Sequence, residues 1–332
     1  MLQLLTYDEI DPSAWQALVD SSPYATWFQT KEAYAFYASL PEEMEPFAIG
    51  VEEDGQLTGV IVGYTTQEKN PIKQLFTCRS IIIGGPLLDE HISNNALSAL
   101  LLTTKRVTKN SIYVEIRNFH NYSHWRDLFE DCKFLYQPHL NFHVDTSSVE
   151  LVESRLGKNR KRDIKTSIRD GATIIENPTI EQVRVYYALL KQLYTTKIKT
   201  PLFSWDFFAN LHAQPHGRFI LVELNGEIIG GTVCVELPER CLYEWFVCGR
   251  DGEWKSIFPS SLATYAGIRY AAEHSCSRFD MMGAGKPDEA YGVRDFKARF
   301  GGEQVEHGRY LCIRKPLLYQ IGKLGVKLLK KR

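Results

Sequence analysis

Residues 49–62 read IGVEEDGQLTGVIV, and residues 220–233, at an offset of 171 positions, read ILVELNGEIIGGTV. Each is an apolar, β-branched run, an Asp-Gly or Asn-Gly dipeptide, and a second such run. The dipeptide supplies the two positive φ values that a type I′ turn requires, so each stretch is predicted to be a β-hairpin. A hairpin repeated at this offset divides a chain of 332 residues into two copies of one unit, each of ordinary domain size.

The elements around each hairpin repeat in the same order. After Gly55 the sequence predicts a strand over 75–83, a helix over 91–107, a strand over 112–116 and a short helix over 125–129. After Gly226 it predicts a strand over 241–247, a helix over 259–273, a strand over 278–282 and a short helix over 293–300. Upstream in the second copy, residues 171–176 read as a strand, and Thr179 with Gln182 forms a capping box that starts a long helix through Val183, Tyr186, Leu190 and Leu193. Strand, helices, three antiparallel strands, helix, strand, helix and closing strand is the element order of the GNAT acyltransferase fold. The expected class is α/β (α+β): two tandem GNAT-like domains, each a mixed, mostly antiparallel sheet flanked by helices. The expected division is 1–150, 151–315 and a basic amphipathic C-terminal helix over 316–332.

With 44% hydrophobic and 24% charged residues the chain is too apolar for disorder, and 39 Lys and Arg against 40 Asp and Glu exclude wholesale electrostatic coating of nucleic acid or membrane. An anionic partner must be met by a local basic patch. No apolar run approaches the roughly 20 residues of a spanning helix, and the N-terminus lacks the basic start of a secretory signal, so a cytoplasmic location is expected. Seven cysteines, an odd number with no CxxC pair, are expected to be buried reduced thiols. His139 and His143 share one face of an alternating run, and His212 and His216 lack the HExxH glutamate, so no metal is expected.

Three local runs carry a family resemblance: TWFQTKEAYAFY at 26–37, RKRDIKTSIRDGATI at 160–174, and FDMMGAG…YGVRDFKARFGGE within 279–303. They are similar to the FxQS…WAxF opening, the RxNIKKAxKxGV entry to the second unit and the FDFGG…GLxxFKxxFGG ending of the FemABX family of peptidoglycan-bridge aminoacyltransferases and their BioF2-like acyltransferase relatives. Tyr34 stands where tryptophan is usual. The resemblance covers nearly the whole chain. It implies transfer of an aminoacyl or acyl group from aminoacyl-tRNA or acyl-CoA, the latter as in N-acetyltransferases, to an amine on a cell-wall precursor or glycoconjugate. It implies no cofactor beyond the donor, and a lysine of functional importance in the Phe296-Lys297 pair.

Without the family, the last run still reads as a site. A strand ends at Asp280–Met282, a Gly283-Ala284-Gly285 turn follows, and Tyr291, Arg294, Lys297 and Phe300 recur at helical spacing. This sets an aromatic and two cations near the C-terminal edge of a sheet, where α/β folds form sites. A lysine there can stabilise charge developing on an acyl carbonyl as an amine attacks it, although the spacing equally fits a solvated surface face. Pro287 and Asp288 stand where a dinucleotide-binding helix would open, which argues against that use of the glycines. Glu244 and Asp280 are candidate proton acceptors; Tyr291, Arg294 and Phe296 are candidate substrate contacts. The matching stretch of the first copy is FEDCKF, with Glu130 in the place of Lys297, so the second unit is the expected seat of chemistry.

Arg155, Lys158, Arg160, Lys161, Arg162, Lys165 and Arg169 form a basic cluster in which Lys158, Arg162, Lys165 and Arg169 align on one helical face. Arg162 and Lys165 are the candidate contacts for phosphates of a tRNA, a nucleotide-linked precursor or a lipid diphosphate; a solvated face is the alternative. Residues 249–261, GRDGEWKSIFPSS, lack the QxxGxG/A turn that cradles the pyrophosphate of coenzyme A, which favours aminoacyl-tRNA as donor. In the last segment Leu317, Leu318, Ile321, Leu324 and Leu328 fall on one helical face, with Lys323, Lys327, Lys330 and Lys331 mostly opposite. Such a helix either lies on the anionic inner face of a membrane, suiting a lipid-linked acceptor, or docks on its own domain. A non-catalytic tandem GNAT module that binds tRNA or membrane is the alternative to an enzyme.

Overall fold

The structure is a computed structural model that describes residues 1–68 and 70–331, apart from the side chains of 71–73 and 326–331. The chain forms two compact units, residues 1–139 with 306–332, and residues 140–305. The first contains β1 (Leu2–Thr6), α1 (Pro12–Ser21), α2 (Lys31–Ala38), β2 (Met44–Glu53), β3 (Gln56–Thr66), α3 (Pro71–Thr77), β4 (Ser80–Gly84), β5 (Leu87–Leu88), α4 (Asn94–Val107), β6 (Tyr113–Asn118), α5 (Arg126–Asp131) and β7 (Leu135–Gln137). The second contains β8 (Leu140–Asp145), α6 (Val149–Arg155), α7 (Lys158–Arg169), β9 (Thr173–Ile175), α8 (Ile180–Leu193), α9 (Trp205–Ala213), β10 (Gly217–Leu224), β11 (Glu227–Leu237), β12 (Cys241–Gly249), α10 (Pro259–Glu273), β13 (Arg278–Gly283), α11 (Gly292–Ala298) and β14 (Glu303–Glu306). The chain then returns to the first unit with β15 (Arg309–Ile313) and α12 (Pro316–Lys331).

The repeated hairpins are β2–β3 and β10–β11. Asp54 and Gly55 have φ of 51° and 82°, and Asn225 and Gly226 have 53° and 83°, the left-handed pair that a type I′ turn needs. Each hairpin slips register at the same place, between Val51 and Glu52 and between Val222 and Glu223. The two sheets then match strand for strand: β1-β2-β3-β4-β6-β15-β7, with β5 beside β3, against β9-β10-β11-β12-β13-β8-β14. In both, the matching pair is parallel, β4 with β6 and β12 with β13. The alignment shows why the units do not divide at 150/151 and 315/316. The strand next to the end of each sheet lies at an extreme of its unit's sequence: β15 reaches the first unit only after the whole of the second, and β8 is the first strand of the second.

The cores follow the strands. Leu140, Phe142 and Val144 of β8 pack with Phe279, Met281 and Phe300 in the second unit. Tyr310 and Cys312 of β15 join Val114, Ile116 and Phe129 in the first, where Tyr310 stacks on Phe129 at 4.1 Å. All seven cysteines are buried free thiols. Residues 75–77, expected in a strand, close helix α3 instead. Pro71 presets the first helical φ and Gln74 N donates to the Asn70 carbonyl at 2.9 Å, leaving Leu75 and Phe76 60% and 50% exposed. Among the described residues no helix is long and apolar enough to cross a membrane.

An ion cluster fastens β15 into the first sheet. Glu115 on β6 accepts from Arg117 at 2.9 Å and from Arg309 on β15 at 2.8 Å. Burial favours the neutral acid, but the two guanidiniums win and hold its pKa at about 2. The stabilisation is therefore complete above the ordinary glutamate value of about 4.3 and is lost as the pH falls toward 2. Replacing Glu115 by Gln is expected to cost about 2 kcal/mol at neutral pH. Melting curves taken between pH 6 and about 2 should show the wild-type advantage shrinking across the lower part of that window. A constant difference down to the lowest pH would show that the carboxylate charge is not what holds the strand.

Candidate functional site

The site begins where two parallel strands part. β12 and β13 pair at Cys241 with Arg278, Leu242 with Phe279 and Tyr243 with Asp280, and the pairing ends there although β12 runs on to Gly249 and β13 to Gly283. Each strand is displaced by a bulge against its other neighbour: β12 against β11 after Val233, and β13 against β8 between Asp280 and Gly283. Within the second bulge Met282, a non-glycine residue, has φ of 57°. Such a conformation costs about 1–3 kcal/mol and persists only where the surroundings enforce it.

Lys297 supplies that enforcement. It sits on α11, 6% exposed, and its Nζ donates to the carbonyls of Met281, Gly283 (3.1 Å) and, more weakly, Met282 (3.5 Å). An ammonium has three donors, and three carbonyls of the bulge accept from it. Burial pushes the Lys297 pKa down, opposed by the charges of Glu244 and Asp280. Thus the three residues picked out in the sequence as one cation and two acids come together where the strands diverge.

The two acids are in different states. Glu244, the first residue of β12 beyond the paired segment, is 4% exposed, and burial pushes its pKa up despite Lys297 and the hydroxyls of Thr264 and Thr232. Thr232 Oγ1 donates to Glu244 Oε1 at 3.3 Å. Asp280 is fully buried, which also favours its neutral form, but His143, Arg278 and Asn141 outweigh burial and hold it at about 2. His143 Nε2 lies 3.1 Å from Asp280 Oδ2, while Asn141 Nδ2 and Met282 N donate to Oδ1 at 2.8 and 2.7 Å. His143 also lines an open cleft of about 560 Å³ with Asp145, Arg155, Arg278 and Glu303.

The other candidates are more dispersed. Tyr291 is 44% exposed, and its ring lies against Gly285. Arg294 donates to the carbonyls of Ala284 (3.1 Å), Lys286 and Pro287 (3.2 Å), so its guanidinium fastens the turn after β13. Arg162 and Lys165 lie on the exposed face of α7, with Arg162 3.3 Å from Asp163. Phe296 is half-buried beneath a different arginine, Arg160.

Arg160 is the residue that counting charges along the basic cluster passes over. It is 4% exposed, with its guanidinium carbon 4.6 Å from the Phe296 ring and 4.5 Å from the Phe300 ring, and it donates to Ser261 Oγ in the first turn of α10. Ser167, two turns along α7, accepts from Phe258 N at 2.9 Å. Arg160, Ile164 and Ser167 form the buried face of α7, and their i, i+4, i+7 spacing was the signal available in the sequence. The amide of Ser260 is also occupied, donating to Asp251 at 3.1 Å. Gly249 is required at this crowded junction, because a Cβ there would fall 2.5 Å from Ser260 N.

The two arginines should behave differently on truncation. Arg160→Ala is expected to lower the unfolding free energy by about 2–3 kcal/mol, from two cation–π contacts and a charge-assisted hydrogen bond. Arg162→Ala should stay within about 0.5 kcal/mol of wild type. Urea unfolding of both variants tests this; equal losses would mean that Arg162 carries structure that its exposure does not suggest.

Residues 158–297, which include α7, β12, β13 and Lys297, match the family model described as an acetyltransferase (GNAT) domain. No curated protein matches the chain. Among solved structures, that of FemX superposes with a TM-score of 0.73 at 15% identity, covering 96% of this chain and 99% of FemX. L-PGS from Bacillus licheniformis gives 0.57 at 15% identity, with 95% and 96% covered. A tandem GNAT protein from the clavulanic acid biosynthesis pathway gives 0.58 at 9% identity, with 94% and 98% covered. The chain accordingly has a tandem GNAT fold, and residues 158–297 of it match the acetyltransferase (GNAT) domain model.

Proposed function

We propose that this chain transfers an aminoacyl or acyl group from an activated ester or thioester to an amine, and that the chemistry takes place in the second unit. The observation that carries the reading is the buried Lys297 ammonium at the parting of β12 and β13, beside a carboxyl group whose pKa is raised. The acceptor nitrogen attacks the acyl carbon and a tetrahedral oxyanion forms. Its charge is met by Lys297, whose 3.5 Å contact with Met282 is the weakest of three and the easiest to exchange for the oxyanion. Glu244 takes the proton released by the amine, a task that suits a carboxylate with a raised pKa. The intermediate collapses to an amide as the C–O or C–S bond breaks; a departing tRNA oxygen takes the proton back from Glu244 and leaves as a hydroxyl, whereas coenzyme A leaves as its thiolate. Asp280, held ionised at about 2, is a weak base; its role in this scheme is to keep the Lys297 charge and the bulge in place.

Aminoacyl-tRNA is the donor we favour. The α10 N-terminus, where a pyrophosphate would seek free amides, has Pro259 as its first residue, Ser260 N engaged by Asp251 and Ser261 held by Arg160. A carboxylate at that position repels an anion. The acceptor implied by the FemABX resemblance is an amine on a phosphate-bearing cell-wall precursor or glycoconjugate. The exposed basic face of α7, with Arg162 and Lys165, is the surface that suits its phosphates.

Consumption of labelled aminoacyl-tRNA in the presence of a nucleotide-linked cell-wall precursor tests the scheme. Lys297→Ala should lower turnover about a hundredfold or more with a much smaller change in KM, while Glu130→Ala, at the matching place in the first unit, should leave turnover near wild type. In wild type, turnover should rise with pH through a Glu244 pKa above the ordinary glutamate range and fall where Lys297 loses its proton, below the ordinary lysine range. Equal effects of the two substitutions would put the chemistry in the wrong unit. Binding of charged tRNA without transfer would favour the non-catalytic module instead.

The basic face makes a separate prediction. Arg162→Ala should weaken precursor binding by about tenfold to a hundredfold at low salt and by less at high salt, since one charge-assisted phosphate contact is worth about 1.5–3 kcal/mol. Unchanged affinity across Arg162→Ala and Lys165→Ala would leave that face merely solvated.

A further inference from the structure

The C-terminal helix docks by the face opposite to its leucine stripe. Tyr319, half-buried, meets the ring of Tyr113 on β6 edge to face at 5.4 Å, and α12 also packs beside α3. At 100° per residue, Leu317, Ile321 and Leu324 lie within about 60° of one another and roughly 140° or more from Tyr319 around the helix. They are 82%, 55% and 62% exposed. The adjacent α3 adds Leu75 and Phe76, 60% and 50% exposed. Leu328, Lys327, Lys330 and Lys331, which the sequence also assigns to this helix, have side chains outside the described residues.

A single exposed leucine is ordinary, but apolar residues repeated along one outward helix face, with more on its neighbour, call for an occupant. Charge identifies the kind. Residues 314–332 contain Arg314, Lys315, Lys323, Lys327, Lys330, Lys331 and Arg332 and no Asp or Glu, in a chain whose overall charge is close to balanced. Lys323 stands over the Tyr319 ring at 5.7 Å, about 100° around the helix from Leu324. Apolar side chains along one line, in a segment of sequence that carries cations and no acids, match the two layers of an anionic bilayer surface, acyl chains below and phosphates above.

We infer that α12, extended by Leu75 and Phe76 of α3, is a membrane-docking surface that seats the first unit on anionic lipid. The inference is independent of the proposed activity, since it concerns a different unit and is tested by binding. It would bring the enzyme to lipid-borne substrates without any spanning segment, and its strength would depend on salt and on lipid charge.

Full-length protein sedimented with vesicles tests it, using phosphatidylcholine alone and phosphatidylcholine with phosphatidylglycerol. The expected result is binding to the anionic vesicles at low salt, at least tenfold weaker to neutral ones and reduced by 0.5 M salt (roughly a 4 Å Debye length). The triple variant Leu317→Glu, Ile321→Glu, Leu324→Glu should bind at least tenfold less while melting at the wild-type temperature, and Leu75→Ser with Phe76→Ser should weaken binding in the same direction. Equal binding to both vesicle types, or a triple variant that binds like wild type, would overturn the inference. So would wild type that ignores vesicles and elutes as a dimer which the triple variant dissolves, because the face would then belong to a second copy of the chain.

Discussion

A charged ammonium held out of water at the end of β13 is the constraint around which the second unit is arranged. Lys297 cannot be buried unless its three donors are met and its charge is balanced. The bulge between Asp280 and Gly283 meets the first demand by presenting carbonyls to Nζ, at the cost of a left-handed Met282. Glu244 and Asp280 meet the second. Removing any part leaves another uncompensated: without the lysine the carbonyls are orphaned, and without the acids the charge is unopposed in a low-dielectric setting. The same features that stabilise the cation also part β12 from β13, so the charge and the opening have one cause.

The two acids show how local surroundings assign different roles to chemically similar groups. Asp280 faces His143, Asn141 and Arg278 and stays ionised to about 2, whereas Glu244 has hydroxyls and one lysine for company and is pushed the other way by burial. Neither state follows from the residue type. In the first unit the corresponding strand carries Glu115, a half-buried carboxylate also held at about 2, but its partners are the arginines Arg117 and Arg309, and the helix that matches α11 offers Glu130 where Lys297 stands. The repeat therefore preserves the frame while the buried charges differ: a stabilising cluster in one copy and a lysine-centred one in the other.

Placement of β15 and β8 gives the frame its unusual chain path. Each sheet has the same order, yet the strand next to the edge comes last in the first unit, after the whole of the second, and first in the second unit. Consequently neither half of the sequence, cut at its midpoint, contains all of its own sheet or core, because Tyr310 and Cys312 belong with the first cluster and Leu140, Phe142 and Val144 with the second.

Much of this was legible in the residues. The type I′ dipeptides, the flanking β-branched runs and the capping box of α8 are local features, governed by the conformational preferences of a few neighbouring residues, and they predicted the hairpins, the repeat and the class of fold. Asp280 could be named because it closes a predicted strand and Lys297 because it recurs at helical spacing, while Glu244 stood only as a candidate acid on a predicted strand. What the sequence could not decide was pairing between distant segments: that β15 and β8 are the strands that complete the two sheets, that Arg160 rather than Arg162 is buried, and that Leu317, Ile321 and Leu324 of α12 face outward. Local preference sets φ and ψ and the period of a helix face, but which face is covered depends on surfaces brought from a hundred or more residues away. Only tertiary packing, with the desolvation it imposes on each buried charge, settles those choices.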